Sequence, residues 1–394
     1  MPYLTITEPR ELHAFCRRLA SVEQIALDTE FVSERTYRSV LCLVQVAAGD
    51  ELALLDPVAL PDLTPFWEVL ADPAHEAVVH AGRGEMEFCF RALGRLPQRL
   101  FDMQIAAGLI GHEYPAGYAN LIARVLGETP NKDETRTDWR RRPLSERQIQ
   151  YALDDIRYLP ALRGRIHQRL AELDRLDWMQ EEMDVFRNDL LAAFTQERWR
   201  RVPGTAGLGS RSLAILRELW RWREAEAERR DCPPRRVLRD DLLVELAKRQ
   251  TADVKRIRAV RGMERQDLGR QLPRIAEAIE RGRGGPGEPI VPSTRSEWAS
   301  QFAVLGQFLF AALGTICRRA ELSPGLVGTP NDIRDLIAYR VGPTAGNAPP
   351  ALAGGWRAEI VGSVFDDLLA GRLSVRITDP ASDAPLAFER VTPQ

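Results

Sequence analysis

The sequence predicts an α/β domain on a mixed sheet, followed by all-α modules. Three observations carry this. Residues 1–160 hold short apolar runs bounded by turn signals, antiparallel first and then alternating with helix-periodic segments. From about residue 145 the apolar spacing turns helical and stays so. Charge then splits the chain: residues 198–283 hold 23 Lys and Arg against 13 Asp and Glu, so the net −2 divides into +10 there and −12 elsewhere.

A helix over 8–20 leads into a strand, Ile25-Ala26-Leu27-Asp28-Thr29-Glu30-Phe31. A second strand, 41–47, is joined to a third, 51–56, by Ala48-Gly49-Asp50, a hairpin signal. Ala77-Val78-Val79-His80-Ala81 is a fourth strand, and helix follows to Leu93. Ser145-Glu146-Arg147-Gln148 has the form of a capping box and starts a helix with Ile149, Ala152, Leu153 and Ile156 on one face. A long helix is expected over 160–197, then punctuation at 202–209. Helices are expected at 210–230, 238–249, 252–258 and 264–281, with a break at Asp231-Cys232-Pro233-Pro234. Arg283–Pro289 reads as a linker. Beyond it come helices at 295–321, 330–340 and 356–370, a loop at 342–350, and a terminal hairpin from 373–377 and 386–389. The expected domains are 1–165, a helical linker 166–208, a basic bundle 209–283, and a C-terminal helical region 295–394.

The chain has 394 residues, 44% hydrophobic and 28% charged, room for two or three buried cores. No apolar run approaches the ~20 residues of a bilayer span, and the N-terminus lacks a signal-peptide pattern. Five scattered cysteines form no CxxC, so neither a disulfide framework nor a zinc site is indicated. The expectation is a cytoplasmic protein without membrane attachment or an evident obligate protein partner. The basic stretch points to a polyanion partner, or to a solvated Arg-rich surface.

Asp28 and Glu30 share one face of their strand, with Leu27, Thr29 and Phe31 on the other. Two adjacent carboxylates on an apolar strand repel each other, and a divalent cation relieves that cost. Tyr151 and Asp155, four apart on the later helix, also share a face. Each pair alone is weak: D-x-E recurs as solvated surface, and Tyr151 with Asp155, taken alone, reads as a core tyrosine and a surface aspartate.

Together these segments resemble the DEDD exonucleases, in the tyrosine-bearing branch to which ribonuclease D belongs. Leu27–Phe31 with Glu34-Arg35-Thr36-Tyr37 and Leu41–Val46 is similar to that family's first motif and second strand. His80-Ala81-Gly82 is similar to the opening of its second motif, and Tyr151-Ala152-Leu153-Asp154-Asp155 to its third, Y-x-x-x-D. Phe101–Ala107 and Glu134–Trp139 match further segments. The close resemblance covers 1–165; 209–283 resembles an HRDC domain, and 295–394 loosely a diverged HRDC-like module.

The resemblance implies a ribonuclease H-like exonuclease domain and two divalent ions, Mg²⁺ or Mn²⁺. Asp28 would bridge them, Glu30 and Asp155 would ligate the ion that activates water, and Tyr151 would orient that water. Glu85 stands where the family has aspartate, one methylene longer, on the side of the leaving group. Its retained charge is compatible with an active enzyme, a slow enzyme or a relic site. His80 could approach a phosphate or simply pack. Arg136, Trp139, Arg140 and Arg141, just before the third motif, could line a substrate channel. Arg235, Arg236, Lys255 and Arg256 are expected to hold phosphates without reading sequence. The function expected is a 3′→5′ exoribonuclease trimming structured RNA such as tRNA precursors and releasing nucleoside 5′-monophosphates. Two other readings are a catalytically attenuated RNA-binding protein and a DNA 3′→5′ exonuclease.

Overall fold

Six strands carry the N-terminal half: β1 (Leu4–Ile6), β2 (Gln24–Val32), β3 (Val40–Ala48), β4 (Glu51–Leu55), β5 (Glu76–Val79) and β6 (Arg99–Asp102). The computed structural model describes residues 2–130, 137–290, 302–341 and 349–391. The sheet order is β1-β4-β3-β2-β5-β6. β2, β3 and β4 run antiparallel, while β1 joins β4, and β5 joins β2 and β6, in parallel. The mixed sheet is therefore as expected, with β2 held between two neighbours. β1 and β6 were not anticipated: three or four residues are too few for an alternation to register.

Around the sheet lie α1 (Pro9–Leu19), α2 (Thr64–Leu70), α3 (Arg83–Leu93), α4 (Met103–Gly108), α5 (Tyr118–Leu126), α6 (Glu146–Arg157), α7 (Leu159–Glu172) and α8 (Leu176–Thr195). α6 starts at the anticipated capping box. Ser145 Oγ accepts from the Gln148 N–H at 3.2 Å, and Gln148 Oε1 accepts from the Ser145 N–H at 2.9 Å. The helix expected over 160–197 is two helices. The chain turns at Asp174 (φ +56°), where Arg175 is drawn inward to donate to the carbonyls of Leu109 and Glu321.

The basic stretch folds as α9 (Ser210–Arg229), α10 (Pro234–Val237), α11 (Asp240–Arg249), α12 (Val254–Arg258), α13 (Gln266–Gly269) and α14 (Leu272–Gly284). The helix expected over 264–281 is also divided, because Pro273 suits the first turn of a new helix. This bundle has a core of its own, including Leu216, Leu219, Leu243, Leu246, Ile275 and Ile279. α9 and α14 meet at backbone level: a Cβ on Gly282 would lie 2.4 Å from Ile215 Cα and 2.8 Å from its N. Gly282→Ala must push the helices apart. It should cost ~1–3 kcal/mol, read as a lower urea midpoint by tryptophan fluorescence.

The last region holds helices Ala303–Arg319, Pro330–Val341 and Ser363–Leu369, the last preceded by a short helix Gly355–Arg357 and a π-turn Ala358–Gly362, and the anticipated hairpin of β7 (Leu373–Ile377) and β8 (Leu386–Arg390). Parts of the expected 295–321 helix and the 342–350 loop lie outside the described residues. This region shares one continuous core with the sheet domain. Leu309, Leu313, Leu336 and Phe365 belong to the same cluster as Ile25 and Val79, as do Met179, Met183 and Leu190 of α8. Buried Glu182 of α8 accepts from Trp356 Nε1 at 2.8 Å and pairs with Arg357.

Candidate active site

β2 supplies the cleft floor. Leu27 and Thr29 are buried against the core, whereas Asp28 and Glu30 on the alternate face remain partly open. Between Glu30 and Phe31 the register against β3 shifts, a bulge of the kind that re-aims side chains next to functional sites. α6 packs across β2, β3 and β4 and brings Tyr151 and Asp155 over this face. Tyr151 donates its hydroxyl to Asp155, and its ring leans on Trp139, centroids 6.1 Å apart.

Glu85 comes from the first turn of α3, where helix amides favour a negative charge. It is 5% exposed. Its carboxylate accepts from Thr29 Oγ1 at 2.6 Å and shares a hydrogen bond with Asp28. The extra methylene thus lets Glu85 reach the strand itself. The corner that leads into α3 is tightly made. Ala81 has φ +55°, and a Cβ on Gly82 would stand 2.3 Å from Val79 Cγ2, so only glycine fits there. Asp102, 1% exposed, accepts from the amides of Gly82 (2.9 Å), Ala81 (3.3 Å) and Gln104 (2.8 Å).

Electrostatics unites the five predicted catalytic residues. Burial, then the mutual repulsion of Asp28, Asp155 and Glu85, pushes Glu30 up to about 9. Burial first and a neighbouring carboxylate second likewise raise Asp28 and Glu85. Burial raises Asp155 as well, against the hydrogen bond from Tyr151. Tyr151 is held well above the usual phenol value by burial and by Asp155, Glu30 and Asp28, so it stays protonated. Hard oxygen donors packed until they resist ionisation fit a divalent cation chemically.

A groove of about 720 Å³ opens from Glu30. One wall is 31–36 and the other is 137–140. Arg140 and Arg141 are exposed beside it and share Asp138. Trp139 is 3% exposed: it supports Tyr151 and does not offer a face for base stacking. Arg142 anchors this wall, pairing with Asp56 and donating to the Cys42 carbonyl at 2.7 Å. Arg136 lies outside the described residues. His80 is largely buried against Tyr118, centroids 5.4 Å apart, and burial lowers its pKa despite Asp102. That favours the packing of a neutral ring, one of the two roles expected for it above.

The bundle residues sit apart from the cleft. Arg235 is exposed and paired with Asp240 at 2.9 Å. Arg236, Lys255 and Arg256 are exposed on α10 and α12 and pair with no acid among the described residues. Sequence reasoning missed Thr29, Asp102 and Tyr118. Tyr118 faces the same carboxylates, since Asp155 and Asp28 add to the burial that raises its pKa. Asp102 left a trace, because Asp-x-Gln before a helical run is an N-cap pattern. Thr29 left none, standing on the face assigned to the core.

Comparison with known proteins bears on the fold and the family. A 3′-5′ exonuclease family model matches residues 3–171, and an HRDC domain model matches 212–279. Ribonuclease D of Granulibacter bethesdensis is 35% identical over 91% of this chain and 90% of its own. Ribonuclease D of Shewanella sp. is 33% identical over 90% and 91%. The crystal structure of Escherichia coli RNase D, described as an exoribonuclease involved in structured RNA processing, superposes with a TM-score of 0.78 at 27% identity, covering 94% of this chain and 99% of that one. With Asp28, Glu30, Glu85, Tyr151 and Asp155 close enough to shift one another's protonation and these relatives matched over nearly their whole length, the chain belongs to the ribonuclease D family and is a 3′→5′ exoribonuclease, its exonuclease domain followed by an HRDC domain.

Proposed function

We propose that this exoribonuclease trims the 3′ ends of structured RNA such as tRNA precursors, releasing nucleoside 5′-monophosphates in the cytoplasm. The observation that carries the chemistry is the gathering of Asp28, Glu30, Glu85 and Asp155 in one cleft where burial and repulsion raise their pKa values. These four would hold two divalent ions, Mg²⁺ or Mn²⁺. When bound, such ions stabilise the attacking and leaving oxygens of an in-line phosphoryl displacement. Tyr151, protonated and tied to Asp155, keeps a neutral hydroxyl beside the carboxylates, fit to orient a water by hydrogen bonding and unfit to act as a base. Arg140 and Arg141 would meet phosphates entering the groove, and Arg235, Arg236, Lys255 and Arg256 would hold the RNA body through salt-sensitive contacts.

Residues 295–394 are proposed as a diverged HRDC-like module. Their helical content supports this, as does the solved relative's coverage of nearly the whole chain. The functional reading is tested by cleavage of a 3′-extended tRNA, resolved to single nucleotides, with Mg²⁺, Mn²⁺ or chelator. Stepwise 3′ shortening that chelator stops is the expected result. A tRNA that is bound yet left intact at every metal concentration would sink it. A matched DNA strand in the same assay separates RNA from DNA preference.

A further inference from the structure

The groove wall at 31–36 is anchored at both ends. Its root is Glu30 on β2, and its far end, just before β3, is Tyr37 and Arg38. Tyr37 does not end in solvent. Its ring packs against the HRDC core. Its backbone N–H donates to Asp231 Oδ1 at 3.1 Å, and its hydroxyl donates to the Glu224 carboxylate. Arg38 pairs with Glu228 at 2.6 Å. Both partners of that pair are more than half exposed, so it adds little beside the Tyr37 contacts.

The three acids lie on the last turns of α9 and just past it, and Asp231 holds a position that is costly for an aspartate. The helix closes with the Cys232 N–H donating to the Ala227 carbonyl, which forces Asp231 to φ +45°. Glycine is the usual residue at such a terminus, because it has no Cβ to strain. Aspartate there accepts backbone strain and supplies the one thing glycine cannot, an acceptor for Tyr37. The wall of the substrate groove therefore hangs on the HRDC domain.

We propose that the HRDC domain fixes the shape of the substrate groove through Tyr37, with Asp231 and Glu224 as positioning residues for the exonuclease reaction, in addition to any RNA that its basic surface grips. An untethered wall samples more conformations, and ordering it on binding weakens affinity without altering the carboxylates. RNA too short to reach the HRDC domain must then still respond to changes at Asp231. This rests on the reaction taking place at the Asp28–Glu30 cleft.

The test uses the full-length protein carrying Asp231→Gly, Asp231→Asn or Tyr37→Phe. Glycine suits the φ and removes only the acceptor, so folding is not threatened. Asparagine keeps both an acceptor oxygen and tolerance of the left-handed region. The first readout, independent of catalysis, is amide hydrogen exchange over residues 33–39. Asp231→Gly should speed it and Asp231→Asn should restore the parental rate. The second is cleavage of a trinucleotide with Mn²⁺. Asp231→Gly should raise KM about three- to tenfold with kcat within about twofold, and Tyr37→Phe should act in the same direction. Unchanged exchange overturns the proposal. So does a parental KM on the trinucleotide with a loss only on long RNA, which would mean that the HRDC domain acts through RNA alone. A parent that cannot cut the trinucleotide would instead count against the placement of the reaction, while exchange still decides the tether.

Discussion

Asp28→Asn should abolish cleavage, by about 10³-fold or more in kcat, while leaving RNA affinity within about twofold. Asp28 stands at the centre of the cleft, coupled to Glu30, Glu85 and Asp155. Asparagine keeps the shape and removes the charge. The groove walls and the basic surface of the HRDC domain are untouched, so binding should survive. Single-turnover cleavage of end-labelled RNA, with a filter-binding titration alongside, measures both. A variant that still degrades RNA at near-parental rate would dismiss this cleft as the reaction centre. The same substitution should stabilise the metal-free protein, because it deletes one of four crowded, mutually repelling carboxylates, and its melting temperature in chelator should rise.

The metal-free protein should also lose stability steadily as pH rises from ~4.5 to ~9, by several kcal/mol in sum. The sign follows from the direction of the shifts. Glu30 is pushed up to about 9, and Asp28, Glu85 and Asp155 are raised as well, while unfolded carboxyls titrate near ~4. Between those limits the folded state binds more protons than the unfolded one, so removing protons favours unfolding. Mn²⁺ or Mg²⁺ should reverse the loss at pH 8, by ~2.7 kcal/mol at a hundredfold excess over Kd. Calorimetric melting in chelator at pH 5, 7 and 9, repeated with added cation, tests this. A pH-independent midpoint, or one that cation does not move at pH 8, would show that the four carboxylates are not a destabilised cation site.

Glu85 shows why a substitution visible in sequence needed coordinates to be understood. As a longer replacement for the family aspartate it could have been displaced from the site. It is instead pinned, donated to by Thr29 and hydrogen-bonded to Asp28, on a helix whose entry corner Asp102 holds through the amides of Ala81 and Gly82. Glu85→Asp withdraws the carboxylate by about one bond length, ~1.5 Å. It should free it from Thr29, and a rise in kcat would show that the longer side chain slows the parental enzyme.

Strands β2 to β5, the helix faces and the Asp28–Glu30 and Tyr151–Asp155 pairs were legible in the sequence because each rests on local periodicity. A two-residue alternation places carboxylates on one strand face, and a four-residue spacing places Tyr151 over Asp155. Capping at Ser145 is local in the same way. What the sequence could not determine depends on contacts between residues far apart in the chain. Tertiary packing buried Trp139, which local composition offered to RNA, and set His80 against Tyr118, because ring-sized apolar surface next to a core is worth more buried than exposed. It merged the C-terminal helices and the sheet domain into one core, and it hung the groove wall from the HRDC domain at Asp231, 194 residues away from Tyr37. Period and spacing record which face a side chain takes; only the folded chain decides what lies opposite it.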